Sequence, residues 1–395
     1  MFDPRWLAVC LLAQVLPSGP IETGRGTVTI AGAVDATFGS RDDEAFFNYT
    51  DYEHNALRVA RLRVLGEWRI GSRLSVLGEA RTENGDGAQL AALYVRWRPW
   101  SQRDFDVQIG RIPPIIGAFG RRAYGRDNVL IGTPLAYQYL TSIRPDALPA
   151  SIDDLLRMRA RGWRPSYSIG AQTIGPGLPI VSSFRWDTGL EAHWSHANVD
   201  AAASYTLGSP AAPVVRETND GRTLAGRLAV RGPLGFTAGV SAARGDWIES
   251  SVLQLVPAGL RGHASQSVIG ADAEFGYLSW LVRGEVIRAT FELPLANAGS
   301  AVTLPAWSSF VETRWRMWPR WQAAIRVERL AFGRVSSAAV PGGTPWDAAV
   351  DRVEAALGFR LRRDVEVRAG WQQNWRAGGR VRARGFPAFQ LLAWF

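Results

Sequence analysis

Period-two alternation, sustained over stretches of about ten residues, restricts this chain more tightly than any other feature. From Ala60 to Ile70 one parity carries Ala60, Leu62, Val64, Gly66, Trp68 and Ile70, while the other carries Arg61, Arg63, Leu65, Glu67 and Arg69. One face is oily and the other charged. After Gly71-Ser72, a two-residue hairpin connection, the pattern returns with Leu74, Val76, Gly78 and Ala80 against Arg73, Ser75, Glu79 and Arg81. Near the end Val353, Ala355, Leu357, Phe359 and Leu361 oppose Arg352, Glu354, Gly358 and Arg360. A tight turn at Arg362-Arg363 leads into Val365, Val367, Ala369 and Trp371 opposite Glu366, Arg368 and Gln372.

Similar strands can be laid over Thr27 to Phe38, Gln89 to Arg98, Phe105 to Arg111, Thr188 to Ala197, Val199 to Leu207 and Thr223 to Arg231. Others fit Leu234 to Arg244, Gln266 to Phe275, Leu278 to Phe291, Trp307 to Met317, Arg320 to Leu330 and Gly385 to Phe395, for about sixteen in all. Connections alternate between short turns, as at Gly71, Asn198, Gly232, Gly276 and Pro319, and longer links, as at 208–222, 245–265 and 331–350. An even count with short turns at one end and long loops at the other is the pattern of a transmembrane antiparallel β-barrel.

A soluble β-sandwich also alternates, but its oily faces pack on each other and its polar faces meet bulk water. Aromatics separate the two folds. Trp68, Trp97, Phe105, Phe236, Phe275, Trp315, Trp321, Phe359 and Phe395 share the outward parity and lie near a short turn or the terminus, with Trp100, Tyr277 and Trp318 in or beside the turns. Rings gathered at one height form a girdle at a lipid–water interface. Outward Arg is tolerated only near the bilayer edge, and Arg58, Arg244, Arg288 and Arg329 all fall toward the long-loop end, in reach of outer-membrane lipid and lipopolysaccharide phosphates.

Residues 1–21 read as a signal peptide: Arg5 precedes the apolar stretch Trp6 to Pro17, too short to span a bilayer as a helix, although no small-x-small site marks the cut. Residues 22–395 then form the barrel. The lone Cys10 excludes a disulfide framework and a cysteine zinc site. All 45 basic residues are Arg, and the net charge of +9 points to an anionic partner. Nucleic acid is disfavoured, since the arginines are spread around strand faces without a binding module. No cofactor or metal motif is present.

The last strand, with Phe389, Leu391, Ala393 and Phe395 on one parity, resembles the C-terminal signal of Gram-negative outer-membrane proteins, which implies recognition by the barrel assembly machinery. Strand number, loop alternation and a very long third extracellular loop resemble sixteen-stranded porins. The passage from Val107 to Gly117 (VQIGRIPPIIG) is similar to the strand-into-loop element of the phosphate-selective porin family. These resemblances imply an outer-membrane location, a homotrimer, and a third loop over 112–186 that folds into the lumen and narrows it. In that family Lys accompanies Arg at the constriction; this chain has no Lys.

Within 112–186 alternation fails. Ser151 to Arg159 fits a short helix capped by Ser151, with Asp153 and Asp154 in its first turn. Tyr167 to Thr173 and Ile180 to Phe184 could instead add a hairpin and raise the count to eighteen. The expected function is passive diffusion of small hydrophilic solutes with a preference for anions, phosphate included, because guanidinium groups replace part of an anion's hydration and repel cations. Arg121, Arg122 and Arg126 are the candidates at the constriction; Arg61, Arg63, Arg81, Arg96, Arg283, Arg314, Arg326 and Arg368 are the candidates along the wall. Inward glutamates can pair with the wall arginines and reduce them to braces. Two other readings stand beside the pore. His193 and Ser195 have the His-x-Ser spacing of outer-membrane phospholipase, although an enzyme is not expected from the rest of the chain, and a plugged structural barrel or adhesin would have the same strands.

Overall fold

The computed structural model describes residues 19–24, 26–42, 46–49, 54–100, 102–120, 126, 128–297 and 299–395. Residues 1–18, which hold most of the expected signal peptide, and Arg121 and Arg122 lie outside the described residues.

Among the described residues, sixteen antiparallel strands close into one barrel. The first six are β1 (Val28–Gly39), β2 (Ala60–Ile70), β3 (Leu74–Glu83), β4 (Gln89–Trp97), β5 (Asp104–Ile112) and β6 (Asp187–His196). Then come β7 (Val199–Thr206), β8 (Thr223–Arg231), β9 (Phe236–Asp246), β10 (Ser265–Tyr277) and β11 (Trp280–Leu295). The remainder are β12 (Ser300–Trp318), β13 (Trp321–Phe332), β14 (Val350–Arg362), β15 (Val365–Arg376) and β16 (Ala383–Trp394). Each strand pairs with its neighbours in sequence, and β1 closes the cylinder by pairing with β2 (Val28 opposite Trp68) and with β16 (Ala33 opposite Trp394). Closure pairs the first strand with the last, the condition for strands to cross hydrocarbon. A short piece, Ile21–Thr23, folds back on the start of β1.

The alternation resolves as two solvents would require. Trp68 is 53% exposed, Val64 41% and Leu357 43%, all on the outer surface, whereas Glu354 on the opposite parity is 3% exposed. Among the girdle rings, Trp280 stacks on Trp315 at 5.2 Å and Trp321 packs on Phe359 at 4.7 Å. A second ring of outward aromatics, Tyr205, Trp307, Trp371 and Trp375, lies nearer the long loops. On β12, Trp307 and Trp315 bracket about eight residue steps, roughly 20 Å of height for a strand tilted about 40°. That approaches the apolar band of such barrels, roughly 25 Å.

The eighteen-strand alternative does not hold. Of Tyr167 to Thr173 only Ile169–Gly170 forms a ladder, with Ala147–Leu148, in a separate two-stranded sheet, and Ile180 to Phe184 forms no strand. These segments lack the length and alternation of a spanning strand. The expected helix is present over Ile152–Arg157, its Ser151 hydroxyl accepting from the Asp154 amide at 3.2 Å.

Candidate permeation path

A chain that leaves a strand and enters the lumen must find partners for its backbone polar groups. The segment 113–186 finds them on the charged inner wall. Glu285 on β11 accepts from the amides of Ala118 at 2.6 Å and Phe119 at 3.3 Å, and from the Tyr137 hydroxyl. Gly117, at φ +68°, is needed there, because a Cβ would collide with the Tyr137 hydroxyl and sit 2.8 Å from Glu285 Oε2. Glu354 on β14 accepts from Ile131 at 3.0 Å and Gly132 at 2.6 Å, and Glu328 on β13 from Leu135 at 2.7 Å.

Arginines satisfy the carbonyls of the same stretch. Arg326 donates to Gly132 O at 2.9 Å, Arg352 to Thr133 O at 3.1 Å, and Arg368 to Asn128 O at 2.7 Å. Above this clamp the inner face turns apolar. Ile115, Phe119, Tyr139 and Ile143 of the segment belong to one buried cluster with Phe291, Leu304, Leu330 and Phe332 of the wall. Much of the lumen beside β11–β15 is therefore packed protein rather than water.

The eight wall arginines all lie on the inward face, but their surroundings divide them. Arg326 is 0% exposed and bonded to Glu312, Glu328 and Glu354 at 3.0, 3.1 and 2.9 Å. Arg368 is 2% exposed and bonded to Glu366 at 2.6 Å. Neither can line water, which corrects the expectation for both: the infolded segment covers them. Arg283, also buried, is held by Glu312 at 2.5 Å. Arg314 Nε has no hydrogen-bond partner, and no ion pair joins this residue among the described ones. Of the three constriction candidates Arg126 is described: its guanidinium lies over the Trp394 ring at 5.8 Å, beside the last residues of β16.

On the β2–β4 wall, Arg61 bonds Glu83 at 2.7 Å and Asp35 at 3.4 Å, and Arg96 bonds Glu67 at 2.7 Å. Arg61 and Arg81 face the Phe184 ring at 5.8 and 5.9 Å, and Arg81 is buried there. Arg63 shares the inward face of β2 and is half-buried, as are Arg61 and Arg96. This wall is thus less tightly covered than β12–β15, and Arg61 and Arg96 are matched by carboxylates.

Three solved structures superpose on this arrangement. OmpT of Vibrio cholerae, folded in vitro, matches 96% of this chain and 100% of its own with a TM-score of 0.56 at 7% identity. The anion-selective porin of Comamonas acidovorans matches 93% of this chain and 99% of its own, with a TM-score of 0.58 at 10% identity. A porin refined at 1.8 Å matches 93% and 100%, with a TM-score of 0.52 at 12% identity. The fold is that of outer-membrane porins. No family model and no curated protein matches the sequence, so the likeness is one of porin fold and does not extend to the phosphate-selective family in particular. A trimer form of the Vibrio OmpT also superposes, with a TM-score of 0.54 at 8% identity.

Within the porin fold the His-x-Ser pair finds different partners from those a dyad needs. His193 Nδ1 lies 3.7 Å from Asp106 Oδ2, while Ser195 Oγ accepts from Arg231 Nη2 at 2.9 Å. No hydrogen bond joins His193 to Ser195 among the described residues. Three arginines outside the sequence expectations also face the path. Arg227 points inward and is bonded to Asp272 at 2.6 and 2.8 Å, and Arg376 and Arg380 stand at and beyond the end of β15. Arg227 obeys the same parity rule as the other wall residues and could be found by it; Arg380 lies in a loop, where no periodicity marks it.

Proposed function

We propose that the chain is an outer-membrane porin through which small hydrophilic solutes diffuse passively, with a preference for anions. The observation that carries this reading is the closed sixteen-stranded barrel whose lumen is entered by a charged segment. Sixteen strands leave an aqueous passage unless it is filled. The anion preference follows from arginines in excess of carboxylates, the net charge being +9. Phosphate is the finer expectation and rests on the Val107 to Gly117 passage alone.

The same reading supplies partners and place. Outward Arg244, Arg288 and Arg329 would meet lipid and lipopolysaccharide phosphates in the outer membrane, the terminal Phe395 the assembly machinery, and a homotrimer is the assembly suited to this architecture. We propose no enzymatic role. Ester hydrolysis by the parent chain, lost in Ser195→Ala, would overturn that.

Reconstitution in planar bilayers tests the pore. Under a salt gradient the current should reverse at a potential displaced toward anions, less so after Arg61→Ala and Arg96→Ala together. A second reading, a plugged structural barrel, is favoured by the sealing of Arg326 and Arg368 against the wall. Absence of current from folded protein would select it.

A further inference from the structure

We propose that the long-loop mouth carries a capture site for a solute bearing two or more phosphate or carboxylate groups. A cavity of about 500 Å³ opens there, lined by Arg157, Arg159, Arg161, Arg164, Arg376 and Arg380. Two stretches bring them together: the end of the Ile152–Arg157 helix with the turn beyond it, and the end of β15 with the loop after it. Gly379 permits the approach, since at φ +79° it lies so near that a Cβ would be 2.9 Å from the Ala160 methyl.

The contrast with the barrel wall is one of charge matching. Along the wall Arg61, Arg96, Arg227, Arg283, Arg326 and Arg368 each hold a carboxylate. At the mouth that matching fails. Arg157 is paired with Asp154, and no carboxylate belongs to the described lining of the cavity.

Some of the six have structural duties. Arg376 is buried over the Phe47 ring at 4.9 Å and donates to Gly378 O at 3.2 Å and Val381 O at 3.1 Å. Arg159 reaches Thr344 Oγ1 at 3.2 Å, yet its Nε is buried without a hydrogen-bond partner. Arg161, Arg164 and Arg380 are exposed, with no carboxylate partner among the described residues; Arg164 rests over the Phe46 ring at 5.3 Å. Guanidinium groups gathered in this way repel one another until an anion joins them, and each can take a phosphate or carboxylate bidentately. The volume falls in the range of small-molecule sites, larger than a monovalent ion needs.

A lipid phosphate has the same chemistry as a free oligophosphate. We assign the free solute, because Arg376 continues the inward parity of Gln372 and Asn374, whereas lipid-facing Trp371 and Trp375 lie on the other. The inference deepens the anion-diffusion reading and rests on it for the site's purpose, but binding can be measured without transport.

The test is calorimetric titration of the full chain, refolded in detergent free of lipopolysaccharide, with orthophosphate, pyrophosphate and tripolyphosphate. Affinity should rise with anion charge and fall steeply with salt. Combined Arg161→Ala, Arg164→Ala and Arg380→Ala substitution should weaken tripolyphosphate at least tenfold while the heat-resistant barrel migration persists, and Arg216→Ala, outside the lining, should not weaken it. No binding by the parent, or equal binding by the triple variant, overturns the proposal. Competition by lipid A in mixed vesicles overturns the free-solute assignment. Binding without bilayer current upholds the site and ends the diffusion reading.

Discussion

Arg326 has no exposure and three glutamates around it, so its removal exposes the logic of the clamp. Arg326→Met would leave Glu312, Glu328 and Glu354 crowded without their shared cation and Gly132 O with Asn128 Nδ2 as its one remaining donor among the described residues. Breaking a buried ion network of this kind costs about 3–5 kcal/mol. We expect a lower urea midpoint and faster proteolysis within 113–186; unchanged proteolysis would show that the segment is held without the clamp. A second residue-scale prediction concerns Asp42, beyond the end of β1. Burial pushes its carboxyl up to about 7, against the amides of Asn48 and Phe47, which pull it down. The folded loop therefore keeps a proton that the unfolded chain loses near 3.8, and the stability it contributes is present below that pH and is lost progressively as pH rises to about 7. Thermal midpoints measured across that window should fall more for the parent than for Asp42→Asn, and equal slopes would refute the assignment.

At the scale of the strand, β11 shows how much is legible in the sequence and where legibility ends. Its inward parity runs from Arg283 and Glu285 to Ile287, Ala289, Phe291 and Leu293, while the outward one runs from Val282 and Val286 to Arg288, Thr290 and Glu292. Both faces change polarity between residues 285 and 288, where the inward face meets the packed loop. Alternation alone suffices for strands and facing, because side-chain direction in a strand follows parity. It does not say that Arg326 and Arg368 are sealed, since their cover comes from residues 128–138, far away in sequence and without periodicity. Polarity inversion is the available signal for that cover. If the inversion marks the bilayer edge, Val311→Arg, midway between Trp307 and Trp315 on the outward face of β12, should cost about 2–4 kcal/mol and Thr290→Arg about 0–1 kcal/mol. Folding titrations in lipid vesicles check this, and equal costs would move the boundary.

Over the whole molecule, charge is arranged in two regimes. Deep in the barrel, arginines and carboxylates neutralise each other at 2.5 to 3.1 Å and hold the infolded segment in place. At the mouth Arg161, Arg164 and Arg380 of the 500 Å³ cavity have no carboxylate partner among the described residues. The second regime can act on a passing solute at a distance, and solvent ions screen it over about 10 Å at 0.1 M salt and about 3 Å at 1 M. Buried pairs are screened far less. An anion preference set at the mouth should therefore be strong in dilute salt and should shrink toward none near about 1 M, with single-channel current still present. A preference that stayed constant across that range would place the selective charges inside the sealed part of the barrel instead.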